Sequence, residues 1–341
     1  MEKVITDIQG SKGQRIGWLD TVRGMAMIMV VYSHISFCNP RIMEFFSPVF
    51  LSVFFFVSGY LTKDGLKFGK FIEQRTRTLY IPFLFWGLLL LCKRHLLSFK
   101  SDILPWGADL KAFFLQDGSD NFIWFIPALY VFSIIFYCLE RVSKTNLQLI
   151  LWLSLFAIAN WVYLYILDGS ALPYHLEEVG FACLLMGLGK LYHRNEASLN
   201  RYFKSLYFII ALITYIASCL IFPKMNFNGS RYMLDWAITV FAGLYLMVYI
   251  SKWGVLQCKP LLYIGANTLI CFILHGQVYA VIEQLLKSRL GATITDSQFL
   301  STSVGILETC VVMAVLIIPI WLINRYLPYT VGKGYKLWKV N

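Results

Sequence analysis

An aspartate, an arginine and a histidine interrupt the otherwise apolar stretch WLDTVRGMAMIMVVYSH, Trp18 to His34. Eleven residues of α-helix make three turns plus about 20° and rise about 16.5 Å, so Arg23 and His34 project from one face at different depths. Asp20, three residues before Arg23, shares that face and is placed to pair with the guanidinium or orient it. Met27, Val30 and Val31 fill the stripe between them. A histidine suits general-base chemistry near neutral pH, and an arginine suits fixing a phosphate or carboxylate. In a soluble helix the pair would be an ordinary interfacial contact and His34 a hydrogen-bonded core residue. In a bilayer such side chains are costly, face a cavity and carry function.

Other polar residues in or beside apolar runs have the same two readings. Arg75 and Arg77 follow Lys63, Lys67 and Lys70 and abut an apolar run beside Pro82. Ordinary charge bias accounts for the lysines, whereas Arg has the forked geometry for phosphate. Ser58-Gly59 is either close helix packing or a nucleophile that would need a base within reach. Trp124 and Tyr130, six residues apart, do not share a helical face, and Trp124 is first an interfacial anchor. Asn267 and His275, eight apart, would lie within about 80° on one helix, and His275 is either a packing residue or a second cavity group. Glu177 and Glu178 open a helix, where negative charge is favourable. Glu308 lies well inside the last apolar run, where it is costly. His95, His175 and His193 lie near helix ends or in loops and take no role.

The elements that must position these groups follow from composition. Of 341 residues, 58% are hydrophobic and 14% charged, against roughly 45–50% and 25% in soluble domains; the mean hydropathy is +0.63. Ten segments approach the roughly 20 apolar residues of a spanning helix: 17–38, 45–62, 79–97, 122–139, 147–167, 177–193, 205–222, 233–250, 261–286 and 304–326. The expected fold is therefore an all-α polytopic membrane protein with ten helices in one bundle over 17–326. A segment 1–16 precedes the bundle and a tail 327–341 follows it. The first fifteen residues are polar and carry no signal-peptide pattern, so the first apolar run is expected to stay as an anchor. With the N-terminus inside, 20 Lys and Arg fall on the cytoplasmic side and 9 on the other, which predicts that both termini are cytoplasmic. The net charge of +11 reflects this bias and not nucleic-acid binding, since no dense basic block is present. The eight Cys form no CxxC or Cys/His cluster and read as small buried hydrophobes, so no metal or disulfide framework is expected.

At this point the sequence resembles the acyltransferase-3 family of integral-membrane acyltransferases. That family's first helix carries an Arg or Lys, ten residues, then a His, matched here by Arg23 and His34. VFFFVSGYL (Val53–Leu61) is similar to its FFxxSG signature, FIEQRTRTLYIPFLFW (Phe71–Trp86) to its basic loop and third helix, and WFIPALY (Trp124–Tyr130) to the opening of its fourth. IGANTLICFILH (Ile264–His275) and the tail IPIWLINRYLPYTVGK look most like the branch related to fucose 4-O-acetylases. The resemblance covers essentially the whole chain. The Glu–x–Pro motif that often ends the family's last helix has no match, so no residue is carried over from it. Some members also have a C-terminal extracytoplasmic hydrolase-like domain that this sequence does not show.

Membership would imply O-acylation, usually O-acetylation, of surface glycans in a bacterial plasma membrane, with cytosolic acyl-CoA (acetyl-CoA) as donor substrate and no metal. His34 would then be the catalytic histidine, with Arg23 as its partner and Asp20 orienting it. Arg75 and Arg77, with Arg23, would hold the acyl-CoA phosphates. Trp124, Tyr130, Asn267, His275 and Glu308 are the wider substrate and cavity candidates. The acceptor would be a hydroxyl of a glycan or its lipid-linked precursor, reached from the surrounding membrane lipid. His34 acts either as a base or as an acyl-carrying nucleophile. The same buried charges also suit a transporter or flippase for a glycan or lipid-linked sugar.

Overall fold

A computed structural model describes residues 16–97, 105–116, 123–222, 225–227, 229, 231–290, 298–335 and 337. The expected segment 1–16, apart from Ile16, and part of the tail 327–341 lie outside the described residues, as does the start of segment 122–139. Among the described residues there is no strand, and only an isolated bridge joins Asn226 and Gly229. The chain runs through α1 Gly17–Ser33, α2 Pro40–Tyr60, α3 Phe68–Leu96, the short α4 Trp106–Leu115, α5 Phe125–Val142 and α6 Asn146–Ile166. It continues through α7 Val179–Leu199, α8 Ser205–Ile221, α9 Met233–Ser251, α10 Lys259–Ala266, α11 Thr268–Leu290 and α12 Gln298–Tyr326.

The protein is an all-α, multi-pass membrane protein. Each of the ten expected segments contains a helix, and among the described residues seven helices are long and apolar enough to cross a bilayer alone. Pro173–Tyr202 and Ser205–Ile221 make an eighth if their 106° bend is one broken span. At 17 residues, α1 is shorter than a typical span. The expectation of ten crossings therefore stands beside seven or eight helices that meet the criterion.

Two expected segments change shape. The first, 17–38, leaves the helix at Ser33, so His34 is the C-cap rather than an interior residue. The ninth, 261–286, breaks at Asn267, whose φ of −126° and ψ of 24° separate α10 from α11. Asn267 and His275 therefore do not share one continuous helix. The break is favoured because the Asn267 amide donates back to the Tyr263 carbonyl at 2.8 Å, the local backbone competition typical of Asn.

Small residues let the helices approach backbone to backbone, the packing mode available where lipid removes the hydrophobic drive between helices. A Cβ on Gly59 of α2 would lie 1.8 Å from the Met186 carbonyl of α7, and one on Gly189 of α7 would lie 1.9 Å from that of Phe56. On the other side of the bundle, a Cβ on Gly265 of α10 would lie 1.7 Å from the Asp20 carbonyl of α1. These contacts fix α1 and α2, the carriers of Arg23, His34 and Ser58, against α7 and α10. An ion network closes the α2–α7 end. The fully buried Lys190 bonds the Thr62 carbonyl at 2.5 Å and Asp64 at 2.9 Å, while Arg194 bridges Asp64 at 2.6 Å and Glu140 at 2.5 Å.

Candidate active site

Arg23 keeps its expected partner. It forms an ion pair with the buried Asp20, and its Nε–H donates to the Leu19 carbonyl at 3.3 Å. From that anchored position it lines a cavity of about 200 Å³ with Ser58, Arg75, Thr78 and Thr268. The remaining wall is apolar, from Phe54, Val57, Leu61, Phe125, Ile126, Leu129, Leu269, Phe272 and Leu79. Two guanidinium groups and an apolar lining make this a place for a molecule with an anionic part and an uncharged arm.

Arg75 and Arg77 part company here. The Arg75 guanidinium makes only long contacts of 3.4 Å, to the Ser58 carbonyl and the Thr62 hydroxyl, and sits 5.3 Å from the Phe71 ring centre. No carboxylate of the described residues pairs with it. Arg77 points elsewhere, its Nε 3.2 Å from Glu73 and its terminal nitrogen donating to the Gly332 carbonyl at 2.5 Å. The two residues lie about 200° apart around the helix, so one faces the cavity and the other braces the C-terminal turn.

Arg75 is followed by a π-turn over Thr76–Tyr80, closed by Ile81 N–H on the Thr76 carbonyl. Pro82 explains it: the ring has no N–H and would strike the carbonyl four residues back, so the chain widens there. The widened turn brings Thr78 and Leu79 to the cavity wall. Tyr130 supports the same turn from α5 through a 3.0 Å hydroxyl contact to Thr76 and a stack on Tyr80 at 5.0 Å.

Ser58 has two sequence readings, close packing or nucleophile. It is buried, it lines the cavity, and its hydroxyl has no hydrogen-bond partner. A buried hydroxyl without a partner is costly, so a polar ligand group in the cavity would satisfy it. Among the described residues that line the cavity there is no histidine or carboxylate, which argues for binding rather than nucleophilic attack.

His34 lies at the opposite end of α1, exposed, with its ring 4.9 Å from that of His275. His275 is buried on α11, and its Nδ1–H donates to the Phe272 carbonyl at 2.8 Å, which leaves Nε2 as the lone-pair nitrogen. The Phe272 ring is 5.7 Å from His275 and also lines the cavity, so it stands between the arginine end and the histidine pair. Glu308 is buried on α12. Asn39 bonds Thr302 at 2.8 Å and Gly305 meets the Phe37 backbone, which brings Glu308 to the His34 end.

Trp124 and Asn267 do not line the cavity themselves, although their chain neighbours Phe125 and Thr268 do. Trp124 N-caps α5 and packs 4.4 Å from His175 and 6.4 Å from Phe227. Asn267 accepts from Asn324 at 2.8 Å and from Lys333 at 3.3 Å, tying the helix break to α12 and the tail. Among the described residues, His175, Glu177 and Glu178 have potential metal-ligand atoms within 4.8 Å of one another. They belong to the Trp124 cluster and not to the cavity. The residues that sequence reasoning did not single out at the His34 end are Ser36, Tyr279 and Glu283. Tyr279 and Glu283 fall four and eight positions after His275, a helical repeat that would have pointed to them.

Residues 16–325 match the family model described as an acyltransferase domain, Acyl_transf_3. No curated protein and no solved structure matches the chain.

Proposed function

Because the chain belongs to the acyltransferase-3 family of membrane acyltransferases, we propose that it transfers an acetyl group from cytosolic acetyl-CoA to a hydroxyl of a cell-surface glycan or its lipid-linked precursor. The observation that carries this reading is a single cavity with Arg23 and Arg75 at one end, bounded by the Phe272 ring that abuts the His34–His275 pair. In this reading the protein sits in a bacterial plasma membrane with both termini cytoplasmic, and the arginine end faces the cytosol. Arg75 and Arg23 hold the donor's phosphates, since forked guanidinium groups match phosphate oxygens. The Ser58 hydroxyl takes a polar group of the pantetheine arm, and the apolar wall accommodates the rest. The thioester reaches His34 past Phe272.

There the acceptor oxygen forms a bond to the thioester carbonyl carbon and the carbon–sulfur bond breaks. His34 takes the hydroxyl proton and returns it to the departing thiolate, which leaves as free CoA. His275, with Nδ1–H committed to the Phe272 carbonyl, presents its neutral nitrogen beside this exchange. Arg77 supports the donor site indirectly by fixing the tail beside the π-turn.

Purified protein in detergent, radiolabelled acetyl-CoA and a glycan extract test the reading. Label should pass to glycan with wild type and be lost with His34→Ala and with Arg23→Ala. Full transfer by His34→Ala would refute the catalytic assignment. Movement of unmodified glycan into liposomes without CoA would instead support a transporter.

A further inference from the structure

Two walls of the arginine cavity rise from interrupted helix. Thr78 and Leu79 come from the π-turn of α3, and Thr268 and Leu269 from the start of α11, just past the break at Asn267. The C-terminal turn Pro328–Val331 leads into residues that touch both. On the α3 side, the Gly332 carbonyl accepts from Arg77 at 2.5 Å, and a Cβ on Gly332 would lie 2.9 Å from the Thr78 Cα. Further along, the Leu337 N–H donates to Glu73 at 3.1 Å. On the α11 side, the next residue, Lys333, donates to Asn267 at 3.3 Å and to Asn324 at 2.5 Å. Asn324, near the end of α12, itself donates to Asn267 at 2.8 Å. Adjacent residues of one segment, Gly332 and Lys333, therefore grip the bases of two walls of one cavity.

We propose that this segment is a strap across the donor cavity, with Lys333 and Asn324 as positioning residues that govern how fast the donor enters and leaves. The acyltransferase reading enters only as the identity of the ligand. At about 200 Å³ the cavity is smaller than the roughly 300–1,000 Å³ of pockets that enclose a drug-sized ligand, and Ser58 in its wall is buried. A donor with several phosphates and a long arm enters only if the walls part. The backbone suits that at both grips, because a π-turn and a helix break interrupt the regular hydrogen-bond ladder, and element ends absorb the φ/ψ change of a closure. The strap holds through individual hydrogen bonds, each small beside the stability of the whole fold, so it yields and re-forms without unfolding a helix. The same contacts close again once the phosphates lie between Arg23 and Arg75. The strap therefore acts on both rates and little on affinity. The Lys333 ammonium matters most, since a hydrogen bond from a charged donor is stronger than a neutral one.

Stopped-flow binding of fluorescent etheno-CoA to the full chain in nanodiscs, with amide exchange of the unliganded protein, tests the strap. Lys333→Met keeps most of the side-chain length and removes the charge, and Asn324→Leu keeps the shape of the amide and removes its hydrogen bonds. Without ligand, each should speed exchange over both Thr76–Tyr80 and Thr268–Phe272. Lys333→Met should then speed etheno-CoA association and dissociation about tenfold, with Kd changed less than about threefold. Asn324→Leu should act in the same direction. Retained affinity in monodisperse variants separates a loosened strap from a misfolded protein. Association and dissociation rates unchanged in both variants, or a weaker Kd at an unchanged association rate, would overturn the strap. Exchange that stays slow on either wall would do the same. Faster exchange on both walls of a protein that binds no etheno-CoA would leave the strap standing as a tie between them and sink the acetyl-CoA reading instead.

Discussion

Two arginines two positions apart have different tasks at the residue scale. Arg75 has no carboxylate partner among the described residues and lines the cavity, whereas Arg77 is held by Glu73 and the Gly332 carbonyl. A charge-assisted bond to phosphate contributes about 1.5–3 kcal/mol, so Arg75→Gln should weaken CoA binding by roughly 10- to 100-fold. Arg77→Gln should change it much less and should loosen the C-terminal turn, seen as faster amide exchange over Pro328–Val331. Isothermal titration with CoA and exchange mass spectrometry separate the two. Equal losses of CoA affinity in both variants would contradict the division. The sequence placed the two arginines together because both end one basic run. Their opposite directions follow from two residues making about 200° of helix, a signal already present in the spacing.

Glycine contacts at the element scale decide whether the site is assembled. The reciprocal contact of Gly59 and Gly189 leaves no room for a Cβ on either helix. Gly189→Val should separate α2 from α7 and lower thermal stability by several degrees, with loss of transfer, whereas the same change at the open Gly107 should be neutral. The measurement is a melting curve in detergent, and matched curves for the two variants would count against the packing account. A milder form of the same test is Gly332→Val. That glycine has φ of 75° and a Cβ there would lie 2.4 Å from the Arg77 carbonyl. The helices themselves were legible from apolar length, and the Asp20–Arg23 pair from three-residue spacing. The Asn267 break was not, because an unbroken apolar run gives no sign of a bend made by one side-chain-to-backbone bond. Ser36 with Glu283 was not legible either, since they are 247 residues apart and only packing of α1 against α11 joins them.

For the whole molecule, the cavity lined by Arg23 and Arg75 and the His34–His275 pair lie toward different ends of α1. The end built by α2, α5 and α7 is closed by Lys190, Arg194, Asp64 and Glu140. Partial burial would push the Asp64 carboxyl up, but hydrogen bonds from Arg194 and Lys190 outweigh it and hold it below the ordinary carboxylate range. A carboxylate held down in the folded state contributes stability above its ordinary pKa of 3.8, and this is lost as the pH falls through the lowered value. Asp64→Asn should therefore cost about 1 kcal/mol near neutral pH, kept small by the exposure of Asp64. The gap to wild type should close only in strongly acid solution. A difference in denaturation midpoint that widened on acidification would have the wrong sign.

In the proposed reaction the donor occupies the arginine cavity and reaches toward the histidine pair. A cryo-electron-microscopy map of the protein in nanodiscs with a non-hydrolysable acetyl-CoA analogue tests it most directly. Phosphate density is expected between Arg23 and Arg75, with the arm passing Ser58 and Phe272 toward His34. Nucleotide density at the His34 end, with the arginine cavity empty, would contradict it.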